Sequence, residues 1–310
     1  MILRNPVLAK SVFALLVVGC ATPWITPPMA MAGGFILSQT VGHPFLKYNQ
    51  RATRLLLQAS IVGLGFGINL FEAVEAGVSG FYLTLVSILF TLLAGFYLGK
   101  KLGLEKNMAT LIGVGTAICG GSAIAAVSPV IRAKEEEISV SLGTVFILNA
   151  IALFLFPLIG KYFDLDEAQF GTWCAVAIHD TSSVVGAAQS FGTRALQIAT
   201  TLKLERTLWI IPVALSAAFF YRSQKGNIRW PYFILFFVAA MALNTFTGIT
   251  EAWEGSIVQV ARRGLTLTLF LIGAGLSREA LKKVGLKPLL LGIILWVLIA
   301  SGSLAYIIFR

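Results

Sequence analysis

Gly113-Val-Gly-Thr-Ala-Ile-Cys-Gly-Gly-Ser-Ala-Ile-Ala-Ala-Val-Ser-Pro-Val-Ile131 carries no charge and is apolar enough for a bilayer. Yet Cys119-Gly120-Gly121-Ser122 at its centre and Pro129 near its end are poor material for an unbroken helix. A break at mid-depth frees N–H and C=O groups that only protein or a water-filled cavity can satisfy, and the freed N-terminal amides attract anions. The stretch therefore predicts a membrane protein with a broken helix at a binding site.

The composition agrees. Of 310 residues 57% are hydrophobic and only 12% charged, with a mean hydropathy of +0.85, which leaves too little polar surface for a soluble globule. The net charge of +10 sits in short clusters between apolar stretches, where it orients helices and meets anionic lipid, so no nucleic-acid partner is expected. Cys20, Cys119 and Cys174 each lie inside an apolar stretch without C-x-x-C spacing, which supports neither a disulfide framework nor a zinc site. Arg4 and Lys10 precede the apolar run Ser11–Ala21, Ala30-Met31-Ala32 has an A-x-A pattern, and Leu16-Val-Val-Gly-Cys20 loosely resembles a lipoprotein box. Prolines interrupt the run and another membrane segment follows, so this first segment is expected to be retained.

A bilayer core of about 30 Å needs roughly 20 apolar residues per helix. Measured so, the spans are 7–26, 29–46, 53–71, 80–99, 108–131, 138–160, 169–191, 203–221, 231–249, 256–277 and 286–309, eleven in all. With strict alternation, Arg132, Lys134, Arg194, Lys203, Arg206, Arg262, Arg263 and Arg310 fall on one side and the other sixteen of the 24 basic residues on the side of the N-terminus. That bias predicts a cytoplasmic N-terminus and an outside C-terminus. With residues 1–28 set aside as an N-terminal helix, 29–160 and 169–310 form two sets of five, and an odd number forces the second to be inverted. Arg54-Leu-Leu-Leu resembles Arg206-Thr-Leu-Trp, and Phe81-Tyr-Leu-Thr-Leu resembles Pro231-Tyr-Phe-Ile-Leu. The fourth members are the broken stretch and Gly264-Leu-Thr-Leu-Thr-Leu-Phe-Leu-Ile-Gly-Ala-Gly-Leu276, also glycine-rich. The fold expected is all-α and polytopic, with about eleven helices and two discontinuous ones crossing.

A second polar island, Ala177-Ile-His-Asp-Thr-Ser-Ser-Val184, lies inside span seven. Ionisable residues are costly there, so His179 and Asp180 read as a proton or cation site; a helix end with Asp180 as N-cap is the plainer alternative. Thr181, Ser182 and Ser183 supply hydroxyls for substrate or for sodium near Asp180. Cys119, Gly120, Gly121, Ser122 and Ala123 offer amides and one hydroxyl to an anion, or else let helices pack closely through small residues. Gly273 and Gly275 join this substrate set as the matching break, and Gln39 and Asn149 join the coupling residues because their spans flank the islands. Gln58, Asn69 and Asn244 read as interhelical hydrogen bonds, and Arg262 and Arg263 as snorkelling to an interface. Gly120-Gly-Ser-Ala123 with His179 is similar to the Ser–His dyad of rhomboid-type intramembrane proteases, but that motif has glycine where Ala123 stands.

Lys101-Leu-Gly-Leu104, Gly115–Ala126 with Pro129-Val-Ile131, Phe170-Gly-Thr-Trp173, Ile178-His179, Lys203-Leu204 and Pro212 resemble the YeiH-type sulfate exporter family (UPF0324). The likeness runs from about Arg54 to Pro288. It implies the fold of the bacterial bile-acid sodium symporters, with panel and core domains each drawn from both repeats and spans five and ten crossing. The chain departs from that pattern after Ile-His, where Asp180 is followed by Thr181-Ser-Ser-Val-Val185 instead of a small-residue-Gln-Val-Val run. The function expected is secondary transport of a small anion such as sulfate or an organosulfonate across a bacterial inner membrane, with H+ or Na+ coupling and no other cofactor. A homodimer is compatible with the sequence, and no enzymatic activity is expected. The alternatives are an intramembrane serine hydrolase using Ser122 and His179, or an uncoupled anion uniporter or channel.

Overall fold

A computed structural model describes residues 6–220, 232–247, 251–276 and 284–309. Among them are fourteen helices and no strand: α1 (Pro6–Cys20), α2 (Pro27–Thr40), α3 (Leu46–Gly65), α4 (Leu70–Lys101), α5 (Lys106–Ala117), α6 (Gly121–Val127), α7 (Glu135–Tyr162), α8 (Glu167–Ala177), α9 (Thr181–Phe191), α10 (Thr193–Leu208), α11 (Ile210–Phe220), α12 (Tyr232–Thr247), α13 (Glu251–Gly275) and α14 (Leu286–Ile308). Four, lying within α4, α7, α13 and α14, are each long and apolar enough to cross a membrane. Three predicted spans are covered by two helices each: 108–131 by α5 and α6, 169–191 by α8 and α9, and 203–221 by α10 and α11. The basic residues Arg4, Arg222, Lys225, Arg229, Arg278, Lys282, Lys283 and Arg310, and Pro231 of one repeat fingerprint, lie outside the described residues.

Small residues decide which helices approach. A Cβ on Gly34 of α2 would stand 2.1 Å from Phe270 O of α13, and one on Gly273 of α13 would stand 2.1 Å from Met31 O of α2. Those two backbones are therefore in direct contact, and α1, α3 and α12 gather around them. The remaining helices form a second group in which α4 packs on α5, α5 on α7, and α10 on α8 and α9. Gly95 of α4 fits against Gly113 of α5, and Gly99 against Ala109. The two groups meet chiefly where α9 and α7 face α2 and α13, over a continuous apolar core that includes Leu153, Val184, Val185 and Leu269.

The broken spans do not cross the molecule. Asn107 Nδ2 at the start of α5 donates to Glu137 Oε2 at the start of α7 (3.4 Å), and Lys134 Nζ lies 3.6 Å from Glu105 Oε2. Further in, Gly115 packs on Val145 of α7. So α5 and α7 run side by side in one direction, and α6 with the turn after it must bring the chain back. The same holds for α8 and α10. Glu167 Oε2 accepts from Arg194 N (2.7 Å) and Ala195 N (3.1 Å), Gly171 packs on Ala195 O, and Lys203 Nζ reaches Ile178 O. Each broken span is a re-entrant helical hairpin. The first enters from the end of the molecule holding Glu105 and Lys134, the second from the opposite end holding Glu167 and Arg194.

This corrects the expected crossing of spans five and ten. Helix α13 runs unbroken from Glu251 to Gly275, because Gly264, Gly273 and Gly275 lie at close contacts with Ser60, Met31 and Asn49 instead of opening the helix. The second break is in span seven, so the proposed match between fourth members of two five-helix sets does not hold.

Candidate functional site

Asn149 sits in the fifteenth position of the 28-residue helix α7, about 21 Å along it, close to half-way through a bilayer-sized structure. Its Oδ1 accepts from His179 N (3.1 Å) and Asp180 N (3.3 Å), the amides freed where α8 ends. Val145, one turn earlier, touches the other hairpin at Gly120. A Cβ on Gly120 would stand 3.4 Å from both Cα and Cβ of Asp180. The two hairpin tips thus meet in the middle of the molecule, with α7 beside both.

Local sequence explains each tip. Gly120 adopts φ +64° and ψ −124°, a left-handed region that favours glycine, and its N–H returns to Gly115 O (2.8 Å). At the second tip Ile178 and Asp180 are extended, and Asp180 is the N-cap of α9: its Oδ2 accepts from Ser182 N (3.1 Å) and from Ser182 Oγ. The plainer reading of Asp180 as a cap is therefore met in geometry, though at a site deep in the molecule.

Two basic residues hold the opposite, electronegative ends. Lys203 Nζ donates to Ala175 O (3.2 Å) and Ile178 O (2.7 Å) at the end of α8. Arg206, three residues on along α10, donates from Nη2 to Ala117 O at the end of α5 (2.5 Å) and from Nη1 to Ser87 Oγ of α4 (2.7 Å). Both side chains are wholly buried, and among the described residues neither makes an ion pair. The C-terminal dipole ends of α5 and α8 are thereby neutralised, while the N-termini of α6 and α9 begin at the junction. Asp180 is the carboxylate built into the tips.

The structure brings together Cys119, Gly120, Gly121, Asp180, His179 and Asn149. Thr181, Ser182 and Ser183 are buried in the first turn of α9, Ala123 is buried behind the first tip, and Ser122 is exposed. Among the described residues His179 Nδ1 and Nε2, Asn149 Nδ2 and Trp296 Nε1 are buried without a hydrogen-bond partner, and the His179 and Trp296 rings lie 6.5 Å apart. The other expected residues lie elsewhere. Gln39 Nε2 donates to Leu276 O (2.7 Å), Gly273 packs on α2, and Gly275 packs on Asn49 of α3. Arg263 Nη1 caps Thr22 O (2.9 Å), and Arg262 Nη2 reaches Thr193 Oγ1 (3.4 Å). Lys203 and Arg206, counted from sequence with the outer basic residues at the start of span 203–221, are the main additions. Their signal is two cations three residues apart, with Glu205 between them, at the head of a segment that turns apolar at Leu208-Trp-Ile-Ile-Pro-Val213.

A protein-family model described as Conserved hypothetical protein 698 matches residues 33–292. The chain is 51% identical over 289 residues to a UPF0324 membrane protein of Bacteroides thetaiotaomicron, covering 92% of this chain and 87% of that protein. To a UPF0324 membrane protein of Porphyromonas gingivalis it is 50% identical over 294 residues, covering 93% and 88%. A third relative, from Geobacter sulfurreducens, is 45% identical over 297 residues, with 96% of each chain covered. No solved structure matches.

Proposed function

We propose that this chain, which belongs to the UPF0324 membrane protein family and is a multi-pass bacterial membrane protein, is a secondary transporter that carries a small anion by alternating access. The observation that carries the reading is the meeting of two oppositely inserted hairpin tips, with the carbonyl ends of their entering helices bound by buried Lys203 and Arg206. Helix breaks of this kind at mid-depth are where membrane transporters bind substrate. The anion is held by amides at the Gly120-Gly121-Ser122 tip, since Asp180 already takes the first amides of α9. Sulfate or an organosulfonate is the class that the sequence resemblance implies. His179 and Asp180 serve a coupling proton or sodium, since a buried imidazole without partners and a carboxylate in a protein interior are the groups able to take one.

Orientation follows from charge. Among the described residues Lys10, Lys47, Arg51, Arg54, Lys100, Lys101, Lys106, Arg132, Lys134 and Lys287 belong to the end where the first hairpin enters, against Lys161, Arg194, Arg262 and Arg263 in the other half; Arg132, Lys134 and Lys161 thus exchange the sides that strict alternation gave them, because the first hairpin returns to the end it entered. That end is placed in the cytoplasm of the inner membrane. A hydrolase reading gains less support: a dyad needs Ser122 bonded to His179, and neither His179 ring nitrogen has a partner among the described residues.

The test is flux of labelled sulfate, sulfite and organosulfonates into proteoliposomes under imposed pH and sodium gradients. Uptake of at least one anion is expected, with its rate following one gradient. Asp180→Asn is expected to remove the gradient dependence. No flux of any of these anions would sink the reading for this substrate class, and equal flux without gradients would leave the uniporter in its place.

A further inference from the structure

Far from the hairpin tips, at the end where the first hairpin enters, a cavity of 600 Å³ opens between α1, α3 and α13. Its wall is apolar, built from Phe13 and Leu271 and from one stripe of α3 that presents Tyr48, Ala52 and Leu55 at i, i+4 and i+7. Tyr48, Ala52 and Leu55 are exposed, so the cavity is a groove open to the molecule's side. In a membrane protein that side faces hydrocarbon.

Two features give the groove a polar, positively charged end. Lys47, Arg51 and Arg54, all exposed, repeat at the same spacing one residue earlier, so a basic stripe runs along α3 beside the apolar one. His43 lines the groove as well. Its Nδ1 accepts from Phe45 N (3.0 Å), which assigns the ring proton to Nε2. That Nε2 faces Asn49, whose Oδ1 has no other partner among the described residues and is its acceptor within the chain, so the two side chains close the polar end of the groove. An apolar channel with a row of cations beside it matches a single class of molecule, an anionic amphiphile.

We propose that the groove is a binding site for an anionic phospholipid, with an acyl chain against Phe13, Ala52 and Leu55 and the phosphate on Lys47 and Arg51. The site does not depend on what the protein transports. It belongs to the helix group of α1, α3 and α13, away from the hairpins, and ties that group to the leaflet on the basic side.

The experiment is native mass spectrometry of the full chain released from mixed phosphatidylglycerol and phosphatidylcholine vesicles, with thermal unfolding of every variant as a check on folding. The wild type is expected to retain phosphatidylglycerol in preference to phosphatidylcholine. Lys47→Gln and Arg51→Gln are each expected to lower that retention about fivefold, the effect of one interfacial cation on an anionic lipid. Ala52→Trp, which fills the groove from an exposed position, is expected to lower retention of both lipids. Lys100→Gln with Lys101→Gln, basic residues at the same end on another helix, is expected to change nothing. Equal retention of the two lipids by the wild type, loss in the Lys100/Lys101 control as large as in Arg51→Gln, or a lipid-free dimer would each overturn the assignment.

Discussion

Lys203 puts an ammonium group where a helix has ended inside the protein, and the two carbonyls it binds have no other donor among the described residues. Lys203→Met keeps the length and apolar stem but strands Ala175 O and Ile178 O, at a cost of about 2–3 kcal/mol. The expected outcome is a lower unfolding midpoint in detergent; Lys203→Arg, with a planar head that needs different acceptor positions, is not expected to restore it. A midpoint unchanged in Lys203→Met would show that the carbonyls find other partners. Gly120 makes a separate prediction, because its restriction is in the backbone. An alanine there must hold φ +64° and place a methyl 3.2 Å from Val145 Cγ1 and 3.4 Å from Asp180. About 1–3 kcal/mol of strain follows, and the easiest relief is to part the two tips. Gly120→Ala should therefore cut anion flux at least tenfold, while Gly121→Ala, at ordinary φ with only the flexible Leu142 and Phe146 nearby, should keep most of it. Equal flux in the two variants would remove Gly120 from the site.

At the scale of elements, the decisive fact is that hydropathy does not distinguish a span from a hairpin. Residues 169–191 are apolar over a bilayer's length whether they cross once or enter and return, since both bury the same side chains. The break itself was legible, in Cys119–Ser122 and again in His179-Asp180, because glycine pairs and adjacent ionisable residues are costly in an apolar helix. The return was not, because it rests on contacts distant in sequence, such as Asn107 with Glu137 and Glu167 with Arg194. A hint was present in length: α8 and α9 have eleven residues each, about 17 Å, half of a bilayer. The same limitation sent the pairing of breaks to Gly264–Leu276, where glycine serves close packing against α2 and α3. The hairpin can be checked directly. Glu105→Cys with Lys134→Cys should be joined in membranes by a short bifunctional thiol reagent with a spacer well under the ~30 Å of a bilayer, since the ends of the native side chains reach 3.6 Å. A membrane-crossing span would hold these positions roughly 30 Å apart, so failure to cross-link in a folded, transport-active protein would restore the crossing topology.

For the whole molecule, the hairpins and their braces form one unit and α1, α2, α3, α12 and α13 another, and each unit draws on both halves of the chain. Within the hairpin unit the bracing is reciprocal. Helix α7, which follows the first hairpin, holds the second through Asn149, and α10, which follows the second, holds the first through Arg206. Neither tip can shift far without the other, so the alternating access we propose would be movement of the hairpin unit as a body against the α2–α13 unit. Their boundary passes between Pro27 of α2 and Gly186 of α9, where a Cβ on Gly186 would lie 3.6 Å from Pro27 Cβ. That separation suits a disulfide. Pro27→Cys with Gly186→Cys is expected to cross-link on oxidation, with the ends of Leu269 and Leu153 moving aside, and to stop flux in that form while the reduced protein transports. Restoration by a thiol reductant would separate locking from misfolding. Undiminished flux in the fully oxidised protein would mean that the two units do not move across this boundary, and the motion would then have to lie within the hairpins themselves.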